Sequence, residues 1–123
     1  MIQGVVNAAY EPVINLTVQG PSGQSHEIEA VIDTGYNGFL TLPRTLVSEL
    51  GLVYRDRGRA ILADGSEAFL DIYDVVVLWN SRLRNTRASA ADTTPLVGMR
   101  MLDRHNLNID VEDGGHVTIQ AKS

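Results

Sequence analysis

The sequence of 123 residues predicts a single-domain, mainly β protein, a closed or nearly closed β-barrel with one or two short helices. Three observations support this prediction. Short runs rich in β-branched residues alternate with clusters of turn residues, and an Asp-Gly pair separates two alternating runs, which is a strong hairpin signal. Apolar residues with helical spacing are confined to brief stretches. Residues 1–123 contain no linker, repeat or low-complexity segment, so one domain is expected.

The first half of the chain contains three predicted strands and a helix. Residues 13–18 are rich in Val, Ile and Thr and end at a Gly-Pro-Ser-Gly turn cluster, after which residues 26–32 return as the second strand. Residues 39–42 form a brief third strand. A short apolar stripe then predicts a helix over residues 44–50, which Gly51 ends.

The second half begins with a long predicted hairpin. Residues 59–62 enter it, Asp64 and Gly65 make its turn, and residues 67–79 leave it. Along the outgoing arm, apolar residues recur at every second position, so one face of that strand is expected to be buried. The elements predicted to follow are strands at 81–90, 96–97, 107–111 and 117–119, with one or two helical turns over 99–104.

Asp33-Thr34-Gly35 is the segment that points to chemistry, because it follows the apolar run of residues 30–32. A carboxylate is thereby placed where a buried strand breaks into a turn, and Gly35 permits the backbone angles that such a turn requires. Asp, Thr and Gly are also common in ordinary hairpin turns, so the triplet alone is compatible with a purely structural role. One aspartate is half of an acid–base pair, which suggests that a second copy of the chain supplies the other half.

The residues around this triplet resemble those of the retropepsin-like aspartic proteases, over about residues 12–120. The resemblance rests on the Asp-Thr-Gly turn, on a glycine-tipped hairpin, and on Leu96-Val97-Gly98 leading into a short helix-like stretch, in that order. Residues 96–111 also resemble the protease domain of eukaryotic ubiquitin-shuttle proteins. Retroviral members usually have Ala after the triplet. Here the residue is Tyr36, as in a group of bacterial and archaeal relatives, so retroviral substrate preferences are not transferred.

The resemblance implies a retropepsin-like closed β-barrel and a homodimeric aspartic endopeptidase that cleaves peptide or protein substrates without a cofactor or metal. Its catalytic turn would be Asp33, Thr34 and Gly35, with Thr34 bonding across the dimer interface. The hairpin would be a flap that closes over substrate. Residues implied in flap and substrate binding are Ala63, Asp64, Gly65, Ser66 and Tyr36. Supporting residues beneath the catalytic turn are implied to be Leu96, Val97 and Gly98.

Two other functions are compatible with the same residues. One is a catalytically silent dimer that binds extended peptides by strand addition. The other is a structural or assembly module in which Asp33 only makes a turn. Inhibition by a transition-state mimic would argue against the first, and loss of function on dilution to monomer would argue against the second.

Composition excludes several other classes. The net charge of −5 argues against nucleic acid as a partner, and no apolar stretch approaches the ~20 residues of a membrane span. The chain has no cysteine, which excludes disulfides and thiolate zinc sites, and its three histidines lack metal-ligand spacing. The first residues lack the basic region of a signal peptide, so a cytoplasmic location is expected.

Overall fold

The structure, a computed structural model, describes all residues from 1 to 123 and contains ten strands and one helix. The mainly β prediction is confirmed. The elements are β1 Ile2–Val6, β2 Pro12–Gln19, β3 Ser25–Ile32, β4 Leu40–Leu42, α1 Arg44–Glu49, β5 Val53–Ile61, β6 Glu67–Trp79, β7 Arg82–Ala90, β8 Leu96–Val97, β9 His105–Ile109 and β10 His116–Ala121.

The strands form one sheet in the order β5-β6-β7-β4-β8-β3-β2-β1-β10-β9, and an additional pairing of β6 with β2 closes it into a barrel. Six strands therefore complete the closed circuit: β2, β3, β8, β4, β7 and β6. The closing contact is antiparallel, with Val18 opposite Val77. β5 lies outside the circuit as the second arm of a hairpin with β6, and β1, β10 and β9 extend the sheet beyond β2. The predicted closed barrel is confirmed.

Alternating burial along β6 shows why this sequence closes a barrel. Val75, Val77 and Trp79 point inward and are no more than 5% exposed, whereas Asp74 and Leu78 on the opposite face are exposed. Each strand residue alternates between faces, so an apolar residue at every second position gives the strand one dry face. The core formed in this way contains 22 buried apolar residues.

Trp79 connects the barrel to the outer strand β9. Its indole Nε1–H donates to Nε2 of His105 at 3.1 Å, and the two rings pack edge to face with centroids 5.7 Å apart. Because an indole can only donate, Nε2 of His105 accepts, and Nδ1 carries the hydrogen and faces the Asp103 carbonyl oxygen at 2.8 Å. A buried polar group is thereby satisfied on the barrel's largest side chain.

Several boundaries differ from the sequence prediction. Residues 99–104 are not a helix but a series of turns, because their bonds join residues three apart, such as the Leu102 N–H to the Met99 carbonyl. Arg104 adopts φ +64°, which ends the turns and starts β9 two residues earlier than predicted. The incoming arm of the hairpin is longer than predicted and begins at Val53.

The chain ends pair with each other. Ile2 of β1 lies opposite Ile119 of β10, and β1 also pairs with β2. Both end segments are therefore strands of this chain's own sheet. No helix is long and apolar enough to cross a membrane.

Candidate active site

The Asp33 turn lies at the point where the chain leaves β3. β3 runs parallel to β8, with Val31 opposite Leu96 and Ile32 opposite Val97. The Asp33 N–H donates to the Val97 carbonyl at 2.9 Å, which carries the strand pairing one residue further and fixes the backbone of the aspartate. The predicted supporting pair therefore lies beside the Asp33-Thr34-Gly35 triplet, with Val97 fully buried and Leu96 half-buried.

Within the turn, the aspartate carboxylate is held by its own backbone. The Gly35 N–H donates to Oδ1 of Asp33 at 3.0 Å, and the Tyr36 N–H donates to the Asp33 carbonyl at 3.2 Å. Asp33 is half-buried, and Thr34 and Gly35 are exposed. The carboxylate is therefore oriented at the surface of the chain, and its Oδ2 makes no hydrogen bond within it.

Gly98 packs directly against the loop that follows Asp33. Its N–H donates to the Phe39 carbonyl at 2.8 Å, and the next two residues, Met99 and Arg100, donate to carbonyls of the same loop at 2.8 and 3.1 Å. A Cβ on Gly98 would lie 2.7 Å from Cδ2 of Tyr36 and closer still to the carbonyl oxygen of Gly38. Only glycine permits this approach, so the loop is supported from beneath by backbone-to-backbone contact.

Tyr36 has a structural role as well as a place in the cleft described below. Its hydroxyl donates to the Leu40 carbonyl at 3.0 Å, and its ring covers the positions where Gly38 and Gly98 lack side chains. The ring is half-buried. An aromatic residue after the triplet thus braces the loop across its own turn.

The β5–β6 hairpin ends in a tight turn at the residues predicted to form the flap tip. The Leu62 N–H donates to the Ser66 carbonyl at 2.8 Å, and Gly65 adopts φ +85°, a conformation that favours glycine. The Asp64 carboxylate accepts bonds from both the hydroxyl and the N–H of Ser66. These bonds, the hydroxyl's first, hold the pKa of Asp64 below its ordinary value of 3.8.

A cleft of about 550 Å³ separates the loop after Asp33, residues 35–38, from the hairpin. One wall is the loop from Gly35 to Gly38, and the other is formed by both hairpin arms. An inner pocket of about 240 Å³ shares part of this lining and extends towards β7. The hairpin residues of the cleft are Gly58, Arg59, Ala60, Ile61, Leu70 and Ile72.

The structure brings some of the predicted site residues together and leaves others apart. Gly35 and Tyr36 line the cleft. The tip residues Ala63, Asp64, Gly65 and Ser66 are exposed beyond its end and do not line it in the single chain. Sequence reasoning missed the small inner-face residues Gly58 and Ala60. Their spacing of two on a strand was the available signal, since it leaves room beneath the hairpin.

Comparison with solved structures gives two informative similarities. A retropepsin-like aspartic protease from Rickettsia conorii superposes with a TM-score of 0.63 at 18% identity, covering 98% of this chain and 92% of that one. EIAV protease, in a complex with an inhibitor, superposes with a TM-score of 0.56 at 17% identity, covering 78% of this chain and 88% of that one. No protein-family model and no curated protein matches the sequence. The chain therefore has the retropepsin-like fold.

Proposed function

We propose that the protein is a homodimeric aspartic endopeptidase that hydrolyses peptide bonds with a water activated between two Asp33 carboxyls, one from each subunit. The observation that carries this proposal is the geometry of the turn. A carboxylate is held by its own backbone at the end of a buried strand, its turn is exposed, and a cleft roofed by a hairpin lies beside it. The retropepsin-like fold, which the chain shares with aspartic proteases, agrees with it.

Two copies are required because the chain contains one Asp-Thr-Gly turn. A two-fold axis places a residue next to its own copy whenever that residue lies on the axis. Thr34 is exposed beside Asp33. The turn is closed by the hydrogen bond from the Gly35 N–H to Asp33, which does not involve the Thr34 hydroxyl. In the dimer this hydroxyl would bond to the partner's loop and hold both carboxyls in place.

The chemistry follows from the two carboxyls being close together. Within a few Å of each other they cannot both carry a charge, so they share one proton. The ionised Asp33 would take a proton from the water while the protonated one donates to the substrate carbonyl oxygen, which gives a tetrahedral diol. Protonation of the leaving amine then completes cleavage. The hairpin would close over the substrate, and excluding water would strengthen these interactions.

The test compares wild type with Asp33→Asn on a denatured protein mixture between pH 4 and 8. Both proteins are used at the same dimer concentration, checked by sedimentation. Cleavage by wild type alone, with the variant still dimeric, would support the shared-aspartate enzyme, and the fragments would reveal its preference. Equal cleavage by the variant would refute the mechanism. Absence of cleavage by both, with peptide binding retained, would favour the catalytically silent dimer.

Dilution provides an independent check of the shared site. If each site needs two chains, the activity per chain falls as the dimer dissociates and recovers on concentration. Activity per chain that stays constant down to a concentration at which only monomer sediments would contradict the two-chain site.

A further inference from the structure

The inner pocket carries charged groups that the proposed mechanism does not use. It lies where β5, β6 and β7 are adjacent, and it opens from the cleft beside the loop after Asp33. Its walls include the apolar side chains of Tyr36, Phe39, Leu40 and Ile72. Its charged lining residues are Arg55, Asp56 and Arg87.

The three charges are not equivalent. Arg55 is already paired, since its guanidinium lies 3.1 Å from Oδ1 of Asp74. Oδ1 of Asp56 accepts the backbone N–H of Arg57 at 2.7 Å, and its other oxygen makes no bond. Arg87 takes part in none of the chain's ion pairs, which join Arg44 to Asp92, Arg55 to Asp74 and Arg59 to Glu67.

Strand register places the two unpaired charges on opposite sides of the pocket. Asp56 lies opposite Ile72 on one side of β6, and Ser89 lies opposite Ile72 on the other, so the three residues cross the sheet in one row. Two inter-strand spacings separate Asp56 from Ser89, about 10 Å, and Arg87 is two positions along β7 on the same face. The carboxylate and the guanidinium therefore face one pocket without forming a pair.

We propose that this pocket selects a substrate side chain that ends in a carboxamide, that is, Gln or Asn, an inference that rests on the proposed function. A carboxamide has N–H donors for Asp56 and a carbonyl acceptor for Arg87, and its aliphatic stem matches the apolar walls. A substrate carboxylate would be attracted by Arg87 but repelled by the like charge of Asp56. A substrate ammonium would be attracted by Asp56 but repelled by Arg87. Asp56 and Arg87 thus determine specificity by excluding both signs of charge.

The experiment measures binding rather than turnover, on the dimeric Asp33→Asn variant with fluorescent octapeptides. One apolar parent sequence carries Gln, Leu, Glu or Lys at each position in turn, and dissociation constants come from fluorescence polarisation. Two further proteins add Arg87→Gln or Asp56→Asn. Matched controls add Arg82→Gln, on the same strand but outside the pocket, or Asp71→Asn, exposed on the outgoing hairpin arm and also outside it.

At one peptide position, the peptide that carries Gln should have the lowest dissociation constant. The difference from the Glu and Lys peptides should be about three- to tenfold, as expected for partly exposed charges. Arg87→Gln should move the preference towards Lys, and Asp56→Asn should move it towards Glu, while both controls keep the order of the parent protein. The same order in all five proteins, or no binding of any peptide, would overturn the inference.

A cleavage assay of wild type with the same peptides separates this inference from the proposed function. Binding that prefers Gln without any cleavage would contradict the endopeptidase and leave the pocket's selectivity standing. Cleavage that is indifferent to Gln, Glu and Lys at every position would contradict the selectivity and leave the endopeptidase standing.

Discussion

Gly98→Ala is the substitution that most directly tests how the proposed catalytic turn is held. The added methyl group would lie 2.7 Å from Cδ2 of Tyr36 and closer to the Gly38 carbonyl oxygen, whereas ordinary contacts of this kind begin at 3.4 Å. Because one neighbour is backbone, the loop must move by about 1 Å to relieve the overlap, and displacements of that size near a reacting centre reduce rates by about 100-fold. We therefore expect kcat to fall by about two orders of magnitude.

The cost in stability can be worked from the same contacts. Three backbone hydrogen bonds, donated by Gly98, Met99 and Arg100, join this segment to the loop. Each contributes about 0.5–1.5 kcal/mol net, so losing two of them lowers the free energy of unfolding by about 1–3 kcal/mol. Urea unfolding followed by the fluorescence of Trp79, the chain's one tryptophan, measures this loss.

Gly23→Ala is the matched control. Gly23 has φ +85° and nothing within 4 Å of where its Cβ would lie, so the variant suffers only backbone strain of about 1–2 kcal/mol. It should lose a similar amount of stability and keep the kcat of wild type, because no hydrogen bond joins the β2–β3 turn to the loop after Asp33. If Gly98→Ala retains kcat within about threefold of wild type, the idea that Gly98 fixes the turn is refuted.

Three further predictions follow from other parts of the chain. His105→Phe leaves the Trp79 N–H buried without an acceptor and should lower the free energy of unfolding by about 1–3 kcal/mol. His105→Gln keeps an acceptor and should therefore retain most of this stability. Equal losses for the two variants in urea unfolding would contradict the role of the hydrogen bond. The carboxylate of Asp64 has a pKa below 3.8 in the folded chain. Its bonds to Ser66 are therefore fully present above pH 3.8 and are lost only as the pH falls through that lower pKa. If the NMR shift of the Ser66 amide titrates with a midpoint above pH 3.8, the result would be inconsistent with this turn. Gly65→Val should slow turnover several-fold without unfolding the protein, because a β-branched residue at φ +85° distorts an exposed tip; unchanged kinetics would remove the tip from the mechanism.

Much of the fold could be predicted from the sequence because local and long-range preferences agree. The alternation around Val75 and Val77 gives β6 one apolar face, and that face is buried in the barrel. The helix ends where Gly51 adopts φ +60°, as its position after an apolar stripe indicated. Residues 99–104 were predicted as one or two helical turns, but the N–H groups of Met101, Leu102 and Asp103 donate to carbonyls three residues back, so the stretch is a series of turns.

The Asp33-Thr34-Gly35 turn could be picked out from sequence as a candidate site, but the cleft beside it could not. Asp33 stands out because a carboxylate placed directly after an apolar strand suggests a specific structural or chemical role. Gly58 and Ala60 give only the weak signal of two small residues with strand spacing, since what matters is the space that they leave. The irregularity in β5 between Tyr54 and Asp56 also could not be predicted, because a bulge depends on the partner strand. Without that register, Asp56 and Arg87 have no visible relation.

The candidate site has two parts, the support formed by Val97 and Gly98 and the Asp33 turn above it. A single chain completes the first part but not the second. The support is complete, because Val97 and Gly98 are buried and bonded to the loop above them. Under the proposed function the Asp33 turn is incomplete in a single chain, because Thr34 and Gly35 are exposed and the chain contains one Asp-Thr-Gly turn. Changes to the support therefore act on the stability of the folded chain and reach activity through the loop. Asp33→Asn keeps an oxygen that can accept the Gly35 N–H. Under the proposed function, a variant that folds and dimerises normally but does not cleave is therefore the expected signature of a site that two chains share.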